Sequence, residues 1–177
     1  MATGVSEILK KAVREVDNFP EPGVSFKDLT PLLQDDKLYK MTLRLMMSKV
    51  SNLDFNKVAG VEARGFMIGG YIAAKRDAGF IPIRKAGKLP HTTYSEAYSL
   101  EYGKDNLEIH TDAVKKGDKV LIHDDVLATG GTLEATIKLI QKAGAEVVGV
   151  CLICELTFLN GRDKIPAGIE VVSLFSY

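Results

Sequence analysis

The sequence predicts an α/β domain built on a parallel sheet. Three observations predict it. Apolar, β-branched runs recur at Lys57–Val61, Phe80–Ile83, Val120–Ile122, Val147–Cys154 and Val171–Phe175; such runs suit strands covered on both faces. Stretches with one apolar helical stripe stand between them, and that alternation is the pattern of a parallel sheet. Val120-Leu121-Ile122 is followed by Asp124-Asp125 and then by Ala128-Thr129-Gly130-Gly131-Thr132. A strand, a small-residue turn and a helix start in that order build an anion site. Glycines let the backbone approach closely, and the free N–H groups of the first helical turn point at the anion.

The chain as a whole sets limits. Its 177 residues suit one domain with a real core. Lysine plus arginine equals aspartate plus glutamate at 23 each, which argues against bulk nucleic-acid or membrane-surface binding. No apolar run approaches the roughly 20 residues of a membrane-spanning helix, and Met1–Lys10 lacks an apolar signal core. A cytoplasmic location is expected. Cys151 and Cys154 lie in one apolar strand run, where an offset of three puts them on opposite faces. They read as core residues, since a redox pair would open a helix and a zinc site needs further ligands.

Taken in order, Ser6 can cap a helix whose stripe is Ile8, Leu9, Ala12, Val13 and Val16. Asn18–Asp28 holds two prolines and a glycine, which forbid regular structure across most of it. Its two phenylalanines are either plugs on the core or stacking surfaces for a ligand. Asp35 or Asp36 can cap a helix with Leu38, Met41, Leu45 and Met46 on one stripe. Lys57–Val61 is a short strand, and Glu62-Ala63-Arg64-Gly65-Phe66 turns from it into a helix through Ala74. Arg64 is either a surface arginine or, at the ligand edge of a parallel sheet, a fork for paired oxygens. Pro82 marks the next strand as an edge or a bulge. Arg84–Pro90 reads as a basic loop. Ala97–Gly103 and Leu107–His110 alternate as a hairpin, with Gly103-Lys104-Asp105-Asn106 as its turn. The helix after the glycine turn carries Leu133, Ile137, Leu139 and Ile140, and Gly144 stops it. Leu159–Arg162 is a turn. His91, His110 and His123 do not have the spacing of a metal triad and read as structural or solvated.

The acidic pair beside the turn narrows the ligand. Two carboxylates repel a bare phosphate; the pair makes sense if the ligand also offers diol hydroxyls or a divalent cation, the alternative being a strand-end acidic pair before an ordinary glycine loop. A Walker lysine and the G-x-G-x-x-G spacing are both missing, which disfavours a nucleoside-triphosphatase loop and a dinucleotide fold. An apolar strand, an acidic pair and T-G-G-T resemble the signature of the type I phosphoribosyltransferases, which use phosphoribosyl pyrophosphate (PRPP). Three more segments together resemble the adenine branch of that family: Asn18–Asp28 resembles its base-binding region, Glu62-Ala63-Arg64-Gly65-Phe66 its pyrophosphate loop, and Tyr98-Ser99-Leu100-Glu101-Tyr102-Gly103 its catalytic segment. Arg84–Pro90 resembles the family's mobile loop.

That resemblance implies a parallel-sheet phosphoribosyltransferase fold with helices on both faces. It implies a small N-terminal hood over about 1–34 and a core over 35–177. The implied activity joins adenine and PRPP to give AMP and pyrophosphate with Mg²⁺, in a homodimer. The implied base site is a Phe26 ring with the backbone of Ser25 and Lys27. The 5′-phosphate would bind Ala128, Thr129, Gly130, Gly131 and Thr132, and the ribose Asp124 and Asp125. Pyrophosphate would meet Glu62, Ala63, Arg64, Arg84, Lys85 and Lys88, with Mg²⁺ held mainly by PRPP. Glu101, by composition an ordinary strand glutamate, is implied as the general acid/base. His91 and Tyr102 are further loop candidates. Ser25 and Ala63 depart from the residues usual in the family. Two alternatives share the fold: transfer to another purine, and a PRPP-sensing regulator. The segment around Phe26 speaks against the first. The charge balance and the retained Glu101 segment speak against the second.

Overall fold

The computed structural model describes residues 2–100 and 103–177. Helix α1 (Ala2–Lys11) leads into strand β1 (Arg14–Asp17), which pairs antiparallel with β2 (Ser25–Asp28). This small ribbon is separate from the main sheet. Two expectations change here. Ser6 lies inside α1 rather than capping it, and Val16 faces Phe26 across the ribbon instead of extending the helical stripe. Likewise, the last four residues of Asn18–Asp28 are a strand. Strand pairing overrides helical periodicity in so short a segment.

Helices α2 (Thr30–Gln34) and α3 (Asp36–Lys49) follow, and the Asp35 carboxylate caps α3 by accepting from the Lys37 and Leu38 amides. Then come β3 (Lys57–Val61), α4 (Gly65–Lys75), β4 (Gly79–Lys85), β5 (Thr93–Leu100), β6 (Gly103–His110), β7 (Lys119–Leu127), α5 (Gly131–Lys142), β8 (Glu146–Glu155) and β9 (Glu170–Ser176). Single 3₁₀ turns at Thr157–Leu159 and Gly161–Lys164 join β8 to β9.

The seven-stranded sheet has the order β5-β6-β4-β3-β7-β8-β9. Strands β4, β3, β7, β8 and β9 are mutually parallel, and the β5–β6 hairpin is antiparallel. The hairpin register pairs Leu100 with Gly103 and Tyr98 with Asp105. Gly103–Asn106 therefore belong to β6 and are not its turn: cross-strand pairing uses residues whose types suggest a bend. Pro82 pairs with Gly60 of β3, but β6 meets β4 only at Arg84 and Lys85, so the other side of β4 has no strand partner at Pro82 and a missing N–H there costs nothing.

Side-chain alternation divides the core in two. Ala59, Val120, Ile122, Val150 and Leu152 pack with α5 residues Leu133, Ile137 and Ile140 on one face. Val58, Leu121 and Ile153 pack with residues of α1 to α4 on the other. Cys151 and Cys154 are buried free thiols, as core residues should be; both join the second cluster rather than dividing between the two. Gly144, in the left-handed region at φ 95°, ends α5 as expected. Among the described residues no helix is long and apolar enough to cross a membrane.

Candidate active site

Strand order reverses between β3 and β7. Chain order runs outward from β3 to β4 on one side and from β7 to β9 on the other, and a crevice opens at the carboxyl ends of strands at such a point. Arg64, just after β3, crosses it to form an ion pair with Asp125 of β7. The contact between Arg64 Nε and Asp125 Oδ2 lacks hydrogen-bond geometry. A cavity of about 1030 Å³ sits over the crevice. Its lining includes Ser25, Phe26, Lys27, Glu62, Ala63, Arg64, Lys85, Asp124, Asp125, Ala128, Thr129 and Thr132. Segments from five separate parts of the chain thus meet in one space.

The acidic pair lies within β7, which continues to Leu127, and not at its end. Burial, then the neighbouring Asp125, pushes the Asp124 carboxyl well above the usual carboxylate range, although Asp124 Oδ1 accepts from the Asp125 amide at 2.8 Å. Beyond Leu127 the chain turns at Gly130, φ 80°, into α5. The first bond at the helix start runs from the Glu134 amide to the Gly130 carbonyl at 2.9 Å. The amides of residues 129–133 make no hydrogen bond to the described residues, so they are available to an anion. Gly130 and Gly131 line a small recess of about 70 Å³ with Ala128, Thr129 and Thr132. All five residues of the turn therefore gather at one place.

At the other end, Phe26 lies edge-to-face with Phe19 at 5.1 Å, and the Arg64 guanidinium is 5.8 Å from its ring. The Lys27 ammonium turns to Glu15 at 2.7 Å and lies over the Tyr177 ring at 4.7 Å. The Lys27 ammonium is thereby occupied, while Ser25, Phe26 and Lys27 all line the cavity.

Glu62 organises the basic segment. Its amide donates to the Ile83 carbonyl at 2.9 Å and its carboxylate accepts from the Lys85 amide at 2.9 Å and Arg84 Nε at 3.2 Å. Burial works to raise its pKa, but these donors outweigh burial and hold it below the usual range. The Glu62 amide is thus spent, and free backbone in this loop falls to Ala63 and Arg64. The Glu62–Ala63 peptide is cis. Lys85 pairs with Asp105 at 3.3 Å, and the Lys88 carbonyl accepts from Arg84 Nη1 at 3.0 Å. Arg84, Lys88 and His91 are not in the cavity wall, whereas Lys85 is. Glu101 and Tyr102 lie outside the described residues.

The comparisons with known proteins agree with this geometry. The family model described as "Phosphoribosyl transferase domain" matches residues 33–172. The adenine phosphoribosyltransferase of Christiangramia forsetii is 54% identical over 169 residues, covering 96% of this chain and 98% of the relative. The chain belongs to the adenine phosphoribosyltransferase family. The solved adenine phosphoribosyltransferase of Rhodothermus marinus has a TM-score of 0.93 at 48% identity, covering 99% of each chain. That of Saccharomyces cerevisiae, complexed with an imino-altritol bisphosphate and adenine, has a TM-score of 0.89 at 32% identity, covering 97% of this chain and 99% of that one.

Some wall residues of this adenine phosphoribosyltransferase fold carry no site signal in the sequence: Tyr98, Leu107, Phe158, Leu159 and Tyr177. Tyr98 donates to Asp105 Oδ2 at 3.4 Å, and burial with that carboxylate raises its pKa to about 12. It stays a neutral phenol at working pH. Phe158 is 64% exposed at the cavity wall. An exposed aromatic in a turn is the one signal that could have marked this segment.

His123 is structural. It is fully buried, and its Nδ1–H donates to the Cys151 carbonyl at 3.0 Å. Burial lowers its pKa to about 4 despite that bond. The unfolded chain protonates near pH 6.5, so it binds more protons than the native state between pH 6.5 and 4. Stability from the neutral imidazole is present above pH 6.5 and is lost as pH falls through 4, in total about 3 kcal/mol. His123→Gln is expected to flatten the dependence of the urea midpoint on pH across that window. Equal slopes in variant and wild type would refute this.

Proposed function

We propose that this chain is a Mg²⁺-dependent pentosyltransferase that moves the phosphoribosyl group of PRPP onto adenine, releasing pyrophosphate and AMP for purine salvage. One observation carries the proposal. A single cavity unites an amide-rich turn, an acidic pair, an arginine at the switch point and an aromatic ribbon. These suit the phosphate, the ribose, the pyrophosphate and the base of one bisubstrate complex. The yeast relative holds a bisphosphate and adenine together, and its similarity extends across nearly the whole chain.

The residues divide the work as follows. Ala128, Thr129, Gly130, Gly131 and Thr132 hold the 5′-phosphate far from the breaking bond, and that remote binding energy fixes the sugar. Asp124 and Asp125 accept from the ribose hydroxyls. The Phe26 ring stacks on adenine while the Ser25 and Lys27 backbone reads its edge. Cleavage at the anomeric carbon leaves negative charge on the pyrophosphate. The Ala63 and Arg64 amides, the Arg64 guanidinium and Lys85 stabilise it, with Arg84 reaching from the end of β4 and Lys88 closing from the loop that follows. Glu62 serves through its carboxylate, as the anchor of Arg84 and Lys85. Glu101 exchanges a proton with the purine, and His91 and Tyr102 are further candidates of the neighbouring segments.

Mg²⁺ fits here as a cation carried on the substrate. No group of three or more His, Cys, Asp or Glu able to hold a metal occurs among the described residues. Mg²⁺ commonly uses one or two carboxylates with substrate phosphates and water, and Asp124 and Asp125 would supply those. When bound, it would offset the charge of the departing pyrophosphate. Residues 1–34 act as the hood over the base. A homodimer in the cytoplasm follows from the family resemblance.

PRPP and Mg²⁺ offered with adenine, hypoxanthine and guanine in parallel test the reading. AMP formation from adenine is expected, with far slower transfer to the other bases. No AMP, or equal turnover of hypoxanthine, overturns it. The Asp124→Asn, Asp125→Asn double variant is expected to raise KM for PRPP at least about tenfold, because hydrogen bonds to charged groups contribute about 1.5–3 kcal/mol. Adenine KM should stay within about twofold on the same scale of loss. Unchanged PRPP affinity would remove the pair from the site.

A further inference from the structure

The geometry points to Arg162 as a positioning residue: its fork on Glu155 holds the Gly161 backbone against the phosphate turn and so sets that subsite's shape. The inference rests on the reading of Ala128–Thr132 as the 5′-phosphate site.

The contact is between two backbones. A Cβ on Gly130 would strike the Gly161 carbonyl oxygen, and a Cβ on Gly161 would strike the Ala128 carbonyl oxygen and crowd the Gly130 amide at 3.0 Å. Each segment is therefore the mould of the other. The amides of 129–133 bond to none of the described residues, so the phosphate turn is held through the carbonyls at its two ends, Leu127 and Gly130, and by what packs behind it. What lies behind it decides where those amides point.

Gly161 opens a single 3₁₀ turn, Gly161–Lys164, after Asn160 in the left-handed region at φ 52°. So short a turn has little rigidity of its own. Arg162 supplies it. Nε donates to Glu155 Oε1 and Nη2 to Glu155 Oε2, each at 2.6 Å, while Nη1 donates to the Val171 carbonyl at 3.2 Å. Glu155 ends β8 and is only 6% exposed, and Val171 belongs to β9. The two-pronged pair thus bolts the turn to the central sheet with a geometry that lysine cannot reproduce.

The preceding stretch of the same connection is pinned separately. The Leu156 amide donates to the Leu127 carbonyl at 2.9 Å and the Thr157 amide to the Tyr177 carbonyl at 3.0 Å. Loosening Arg162 should release Gly161 without releasing the wall at Leu156–Leu159. A general structural role would disturb both ends together.

Arg162→Lys and Glu155→Gln test this, with ribose 5-phosphate and PRPP as probes of one end and adenine as probe of the other. Folding is verified by circular dichroism, and the milder Glu155→Gln decides if Arg162→Lys does not fold. The expected result is a rise of at least about fivefold in the ribose 5-phosphate Kd and the PRPP KM, the scale of one lost charge-assisted bond. Adenine KM should stay within about twofold, and kcat at saturating PRPP within about threefold, since the chemistry is untouched. Folded variants with unchanged ribose 5-phosphate and PRPP constants overturn the inference, as does a parallel rise for adenine. Wild-type protein that binds neither ribose 5-phosphate nor PRPP overturns the underlying reading, and this inference with it.

Discussion

Glu101→Gln is expected to lower kcat by about a hundredfold to ten-thousandfold, the range for loss of a positioned acid or base. The amide keeps the size and most of the hydrogen-bonding reach of the carboxylate but cannot take or deliver a proton. AMP asks only to be held, so its Kd should move by less than about threefold, within the worth of one neutral hydrogen bond. Single-turnover AMP formation measured beside AMP titration separates the two. Equal losses in both would make Glu101 a binding group. The assignment rests on the Tyr98–Gly103 resemblance.

Gly130→Ala is the second large effect. Alanine at φ 80° is strained, and its methyl group would fall on the Gly161 carbonyl oxygen, which is backbone and cannot rotate aside. The turn must move, and the amides of 129–133 move with it. KM for PRPP is expected to rise at least about a hundredfold, since several amide bonds to one phosphate are misdirected together. Adenine binding, at the opposite end of the cavity, should change by no more than about threefold, as for an untouched subsite. The melting temperature should fall by several degrees, at about 2–4 °C per kcal/mol for a chain of this size. A PRPP KM within threefold of wild type would show that the turn is not the phosphate site.

The phosphate turn was legible because its chemistry demands unusual residues: consecutive glycines and threonines between an apolar strand and a helix stripe. Arg64 was legible from its place between a strand and a helix. Phe26 was legible as a loop aromatic, its role open until the resemblance was considered. Tyr98, Leu107 and Leu159 were not, because an apolar or aromatic residue facing a cavity has the same spacing as one facing the core. The β5–β6 register was misread for a related reason. Asp105 and Asn106 are turn formers by type, yet Asp105 is held in a strand by Tyr98 and by Lys85, partners that no local pattern shows. Val16 was drawn out of its helical stripe by Phe26, a contact ten residues along the chain. The Arg162 fork was invisible for the same reason: its acceptors, Glu155 and Val171, stand on two different strands.

The cations lining the crevice are already engaged: Lys27 with Glu15, Arg64 with Asp125, and Lys85 with Asp105. An arriving polyanion therefore meets a lattice of dipoles, not a bare positive field, and long-range steering contributes little to its capture. Binding becomes an exchange of partners. On the proposed reading, a phosphoryl oxygen that took the Arg64 guanidinium would set Asp125 free, and Asp125 would then be at liberty to receive a hydroxyl of the sugar.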